Sequence, residues 1–113
     1  GKDMALTLYG LMNCDTCKKA MKALDAAGQA YAFVDIRADA DLAALVPSWL
    51  ESAGSELLIN RRSTTWRNLS EAERETAPDA LLIANPTLVK RPVITEGTEV
   101  YVGWTKDVQA ELL

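Results

Sequence analysis

The spacing of apolar residues changes period repeatedly along the chain, and each change marks an element. Residues 4–9 (MALTLY) make a short apolar, β-prone run that Gly10 punctuates. From Cys17 the apolar positions are Cys17, Ala20, Met21 and Leu24, the i, i+3, i+4, i+7 stripe of an amphipathic helix. Asn13 or Asp15 is placed to cap that helix and Gly28 to end it. Residues 30–36 (AYAFVDI) are β-prone and partly alternating, which predicts a second strand ending at Asp35. Strand, helix and strand so close together form a βαβ unit, whose strands should be parallel neighbours.

Residues 38–85 read as helical throughout. Leu42, Leu45, Val46, Trp49 and Leu50 form one stripe, but Pro47 falls inside it. The pattern therefore predicts a break near Val46, with Pro47 opening a second short helix that Gly54 closes. Leu57, Leu58 and Ile59 run into a polar stretch at Ser63, Thr64 and Thr65. Ser70-Glu71-Ala72-Glu73 is a capping box, and Pro78-Asp79 begin a further helix that stops at Asn85-Pro86. Residues 93–95 and 99–102 are strands with a turn at Glu96-Gly97, and Thr105 caps a last helix that buries Val108 and Leu112. This order predicts an α/β fold: a four-stranded mixed β-sheet flanked by helices, with a helical insertion (roughly 38–85) between the two β halves. Without repeats or linkers, residues 1–113 make one domain.

Composition narrows the function classes. The chain is 49% hydrophobic and 25% charged with a net charge of −4, which argues against nucleic-acid or anionic-membrane binding. No apolar run approaches the ~20 residues of a membrane span, and no secretion signal is visible, so a reducing cytoplasm is the expected location. Residues 1–3 read as additions ahead of a natural start at Met4.

Both cysteines lie in Asn13-Cys14-Asp15-Thr16-Cys17-Lys18-Lys19, at the strand-to-helix junction. A helix N-terminus carries free N–H groups and partial positive charge, which favour thiolate over thiol. Lys18 and Lys19 add cationic charge, while Asp15 opposes it. Cys14 is thus placed to attack and Cys17, one turn inside, to resolve. A zinc site would need four ligands, and the chain has no histidine and no third cysteine; only a site shared across a dimer would do. A structural disulfide closing so short a loop would constrain the unfolded chain little. Two incidental buried cysteines are the remaining alternative. In a cytosolic βαβ context a redox dithiol fits best.

These residues resemble the arsenate reductase-like family (ArsC, Spx and YffB-type proteins). The resemblance runs from Tyr9-Gly10 and Asn13-Cys14-Asp15-Thr16-Cys17 through Leu58-Ile59-Asn60-Arg61 and Thr64-Thr65-Trp66. It continues in Asn85-Pro86, Lys90-Arg91-Pro92-Val93 and Val102-Gly103-Trp104. It implies a thioredoxin-like fold in which Pro92 is cis and faces the cysteine. Arsenate reductases of the family hold their oxyanion with three arginines. Arg91 matches one; the others fall at Asn60, beside Arg61, and near Val102. Losing two charge-assisted donors weakens oxyanion binding by roughly 1.5–3 kcal/mol each, so arsenate reduction is not expected.

The resemblance leaves two branches. YffB-type proteins are glutathione-linked thiol reductases, which the Asn13-Cys14-Asp15-Thr16 and Thr64-Thr65-Trp66-Arg67 stretches favour. Spx-type regulators carry a Cys-x-x-Cys switch and bind the C-terminal domain of the RNA polymerase α subunit, which Cys17 favours. The reductase reading makes Cys14, Cys17 and Arg91 the catalytic set, with Asn13, Asn60, Arg61 and Pro92 at the substrate. It needs no metal or bound cofactor. Glutathione, its carboxylates held by Arg91 or Arg61, would serve as co-substrate and restore the dithiol. Trp49, Trp66 and Trp104 read as packing residues.

Overall fold

In the computed structural model, which describes residues 5–113, the first β-prone run forms strand β1 (Leu6–Gly10). Met4, expected at the start of that strand, and residues 1–3 lie outside the described residues. Helix α1 (Asp15–Ala26) and strand β2 (Tyr31–Asp35) complete the βαβ unit, with β2 parallel to β1 and in register from Leu6–Tyr31 to Gly10–Asp35. Helices α2 (Leu42–Ala53), α3 (Ser55–Leu58), α4 (Thr64–Arg67), α5 (Glu71–Arg74) and α6 (Pro78–Ala84) form the insertion. A 3₁₀ turn (Pro86–Leu88) leads to β3 (Val93–Glu96), β4 (Glu99–Val102) and α7 (Lys106–Leu112). The sheet order is β2-β1-β3-β4, with β3 antiparallel to both β1 and β4. This is the expected thioredoxin-like sheet.

The period-two pattern of the strands divides the core into two layers. Leu6 and Leu8 turn one way, onto Ala20 and Leu24 of α1, Ile94 of β3, and Val108 and Leu112 of α7. Val93 and Val102 turn the other way, with Tyr9, onto Val46 and Trp49 of α2 and Leu81 and Leu82 of α6. Tyr9 and Trp49 meet edge-on with ring centroids 4.9 Å apart. Each fully buried Leu contributes on the order of 1.5–3 kcal/mol, so both layers are needed to hold the sheet.

Three expectations are corrected. Helix α2 runs unbroken through Pro47. Pro47 and Ala43 both lie on the exposed side, so water can solvate the carbonyl that the proline leaves unmatched, while Val46 and Trp49 keep the helix against the core. At α1 the N-cap is Cys14 itself, with no side-chain cap from Asn13 or Asp15. The last hairpin closes on Gly97-Thr98, not Glu96-Gly97, because Glu96 and Glu99 pair across the strands. Gly97 takes φ +59°, the positive φ that a two-residue hairpin of this kind requires at its first loop position.

One connection carries no periodic signature. Ile59 and Val89 form an isolated antiparallel bridge, flanked by Asn60 N–H to the Leu88 carbonyl and Lys90 N–H to the Leu58 carbonyl, both 2.8 Å. This bridge ties the insertion to the segment ahead of β3 and brings Asn60 and Lys90 together.

Candidate active site

Cys14 follows a turn closed by its own N–H on the Leu11 carbonyl (3.1 Å), and its carbonyl accepts the first helical bond, from Lys18 N–H (3.0 Å). That geometry puts the Cys14 sulfur at the positive end of a twelve-residue helix. Cys17 lies one turn on and is completely buried. Its sulfur packs against Gly10: a Cβ at Gly10 would stand 2.5 Å from it. Gly10 is therefore more than punctuation. It is the bare backbone on which the first turn of α1 rests.

Cys14 opens into a cavity of about 310 Å³, lined also by Thr16, Asn60, Lys90, Arg91 and Trp104. Gly103, at φ +80°, and Thr105 complete its wall. The Lys90 side chain lies along Gly103, its Cε 3.6 Å from the place a Cβ would occupy. Arg91 precedes a cis peptide to Pro92. Its Nη1 donates to the Thr87 carbonyl at 2.9 Å, and its Nε is buried with no hydrogen-bond partner among the described residues. The guanidinium thus keeps donors to spare.

The two thiols titrate in opposite directions. Partial burial pushes Cys14 up. The backbone N–H of Cys17, the Cys17 thiol and the nearby Arg91 guanidinium outweigh it, leaving Cys14 below its ordinary value. Burial pushes Cys17 up to about 12; the Leu11 N–H opposes this, and the hydrogen bond and negative charge of Cys14 add to it. One sulfur is biased toward the thiolate and the other is a protonated reserve within hydrogen-bonding reach of it.

Of the residues that the sequence nominates, Cys14, Asn60 and Arg91 share the cavity, with Cys17 buried behind Cys14. Arg61 lies outside its lining, 3.7 Å from Glu56 and over the Trp66 ring at 5.4 Å. Asn13 is exposed in the turn before α1, and Pro92 is buried at the head of β3, where its carbonyl accepts the Gly103 N–H at 2.8 Å. Asn60 uses its Oδ1 to accept the Arg62 N–H at 3.1 Å, which orders the loop. Trp49 is a core residue, whereas Trp104 is half-buried and faces the cavity. Thr16 and Lys90 are site residues that the sequence does not nominate; Lys90 stands inside the Lys90-Arg91-Pro92 motif, and the isolated bridge that orients it has no pattern to read. No group of three or more Cys, Asp or Glu among the described residues could hold a metal ion. A larger groove of about 590 Å³, between α2 and the β3–β4 hairpin, contains neither cysteine.

The family model that describes the ArsC family matches residues 9–112. The chain belongs to the ArsC family. An uncharacterized protein of Haemophilus influenzae is 40% identical over 111 residues, spanning 93% of this chain and 96% of its own length. Among solved structures, a YffB protein superposes with a TM-score of 0.84 at 35% identity, over 96% of this chain and 98% of its own. An arsenate reductase (ArsC) related protein from Brucella melitensis superposes at 0.77 with 34% identity, over 98% and 96%.

On this ArsC-family fold, the cavity combines a nucleophile of lowered pKa, a fixed guanidinium and a second cation. Such a set can activate a thiolate, hold an anionic group beside it and stabilise a leaving thiolate. Val102 is buried in the sheet and offers no donor. No helix among the described residues is long and apolar enough to cross a membrane.

Proposed function

We propose that this protein is a cytoplasmic thiol–disulfide oxidoreductase, linked to glutathione, in which Cys14 attacks and Cys17 resolves. The observation that carries this reading is the pairing of an accessible Cys14, beside Arg91 in an open cavity, with a buried Cys17 directly behind it. Membership of the ArsC family, whose fold is thioredoxin-like, supports the same chemistry.

In the first step the Cys14 thiolate attacks one sulfur of a substrate disulfide, and the other sulfur leaves as a thiolate that takes a proton. In the second, Cys17 loses its proton and attacks the Cys14 sulfur of the mixed disulfide. The substrate's remaining thiol departs and a Cys14–Cys17 disulfide stays behind. Two glutathione thiols then reduce it and leave as glutathione disulfide, so two electrons pass in each half. Cys17 is held protonated in part by Cys14's own negative charge and hydrogen bond. Forming the mixed disulfide removes both, so Cys17 becomes easier to ionise when its turn comes.

Capture with the Cys17→Ser protein tests the assignment. Its mixed disulfide should persist and carry a small thiol or an enzyme substrate. The Spx-type alternative, which the second cysteine favours, requires the α subunit of RNA polymerase in the captured fraction instead. Arsenate is not a substrate in this reading, because Arg91 is the one arginine in the Cys14 cavity. Incubation with arsenate, glutathione and glutaredoxin should produce no arsenite; steady turnover would overturn that exclusion.

A further inference from the structure

We propose that the cavity next to the Cys14 opening is a second binding subsite, for an anionic group that a small, extended thiol or disulfide carries at a distance from its sulfur. The proposal rests on Cys14 being the reacting sulfur and deepens that reading by naming what else the substrate bears. The two cavities meet at Asn60 and Lys90, which line both. The second, about 530 Å³, adds Arg61 and Arg62 to Lys90, against one carboxylate, Glu56. In a chain of net charge −4 this is a local reversal of sign. Both volumes fall in the range of small-molecule sites, roughly 300–1,000 Å³.

The arginines are held on an ordered loop. Asn60 Oδ1 accepts the Arg62 N–H, Ser63 Oγ donates to the Asn60 carbonyl at 2.7 Å, and Asn60 N–H is bonded to Leu88. Arg61 lies over the half-buried Trp66, which restricts its guanidinium and leaves its N–H fork for a planar anion. Its partner Glu56 is 92% exposed at 3.7 Å, an ion pair of the weak surface kind that an incoming carboxylate can displace. Leu57 and Ile59 line the same cavity and give apolar wall for the carbon chain between the two polar ends. A ligand seated in both cavities would place its sulfur at Cys14, one anionic group at Arg91 and another at Arg61 and Arg62. A disulfide with a single charge next to sulfur would fill only the first.

The test is titration of the wild-type protein with S-methylglutathione, which carries two carboxylates set off from an unreactive sulfur, followed calorimetrically. The Arg61→Ala/Arg62→Ala protein should bind it at least tenfold more weakly, and Arg62→Ala alone, at an exposed side chain, at least threefold. Arg37→Ala, which removes one charge elsewhere as Arg62→Ala does in the subsite, should match wild type within twofold. The diamide of S-methylglutathione should not compete. Equal binding by the double variant, no binding by wild type, or equal competition from inorganic phosphate would each overturn the subsite. Loss of the subsite leaves the catalytic reading testable by reaction of Cys14 with uncharged hydroxyethyl disulfide. Binding without that reaction would keep the subsite and remove the catalysis.

Discussion

Cys14 and Cys17 lie one turn apart at the start of the same helix, and nearly every physical influence on them differs. Cys14 caps the helix, opens to a cavity and has a guanidinium beside it. Cys17 faces inward, is sealed by Gly10 and Leu11, and is held protonated by burial. Position on a helix alone does not make a thiolate. Burial raises both sulfurs, but only at Cys14 do the Cys17 N–H, the Cys17 thiol and the Arg91 guanidinium together outweigh it.

The widest separation between the two should come from removing each sulfur in turn. Cys14→Ser should lower the second-order rate with a simple disulfide by about a thousandfold or more, roughly 4 kcal/mol, because no other accessible thiol remains. Cys17→Ser should leave the first attack intact and stop the reaction at the mixed disulfide, visible as a mass increase on the protein. Reaction of Cys14→Ser at the wild-type rate would reverse the assignment.

Arg91→Ala tests what sets Cys14 apart. Its guanidinium stabilises the thiolate, so removing it moves the alkylation midpoint of Cys14 to higher pH and shrinks the thiolate fraction at neutrality. A charge-assisted contact of this kind contributes about 1.5–3 kcal/mol, hence a ten- to hundredfold loss of rate with a carboxylated disulfide. Alkylation curves and rates on charged and uncharged disulfides, with the melting temperature as control, separate this from a packing defect. An unchanged midpoint would end the role.

Gly10→Ala attacks the other member of the pair. A methyl placed 2.5 Å from the Cys17 sulfur cannot be accommodated without moving the first turn of α1 or twisting β1. Overpacking of that order costs about 1–3 kcal/mol, measurable as a lower denaturation midpoint. Resolution of the mixed disulfide should slow, because the sulfur that must swing toward Cys14 is displaced. If Gly10→Ala is as stable as wild type, the packing of Cys17 on Gly10 is loose enough to absorb a methyl group.

Much of this was legible in the residue pattern for definite reasons. The two core layers follow strand alternation, and the caps at Ser70 and Thr105 follow local hydrogen-bond chemistry that needs no tertiary partner. The break expected at Pro47 failed because a tertiary layer holds the helix where local propensity would end it. The cavity was only half readable. Cys14 and Arg91 sit in motifs, but Lys90 enters through the bridge of Ile59 with Val89, a single pairing between segments thirty residues apart in sequence. The displacement of Arg61 toward Trp66 likewise depends on where a short helix lands, which no periodicity specifies.

The smallest effect is also the one on which sequence and structure most differ. Lys18 follows Cys17 directly and looks like the cation that would depress the thiol. Yet it lies exposed on the outer face of α1, and the influences that lower Cys14 are the Cys17 N–H, the Cys17 thiol and Arg91. A solvated ammonium at that position is screened by water and salt, so its effect on a neighbouring charge is below about 1 kcal/mol. Lys18→Gln should therefore leave the rate of Cys14 with a carboxylated disulfide within about twofold of wild type, against a ten- to hundredfold loss for Arg91→Ala. What remains of the lysine effect should vanish as ionic strength rises past the point where the Debye length falls to about 8 Å. The two variants, measured side by side at low and high salt, decide between a diffuse helix-end potential and a single fixed guanidinium. A loss in Lys18→Gln equal to that in Arg91→Ala would favour the diffuse potential and remove Arg91's special place beside Cys14.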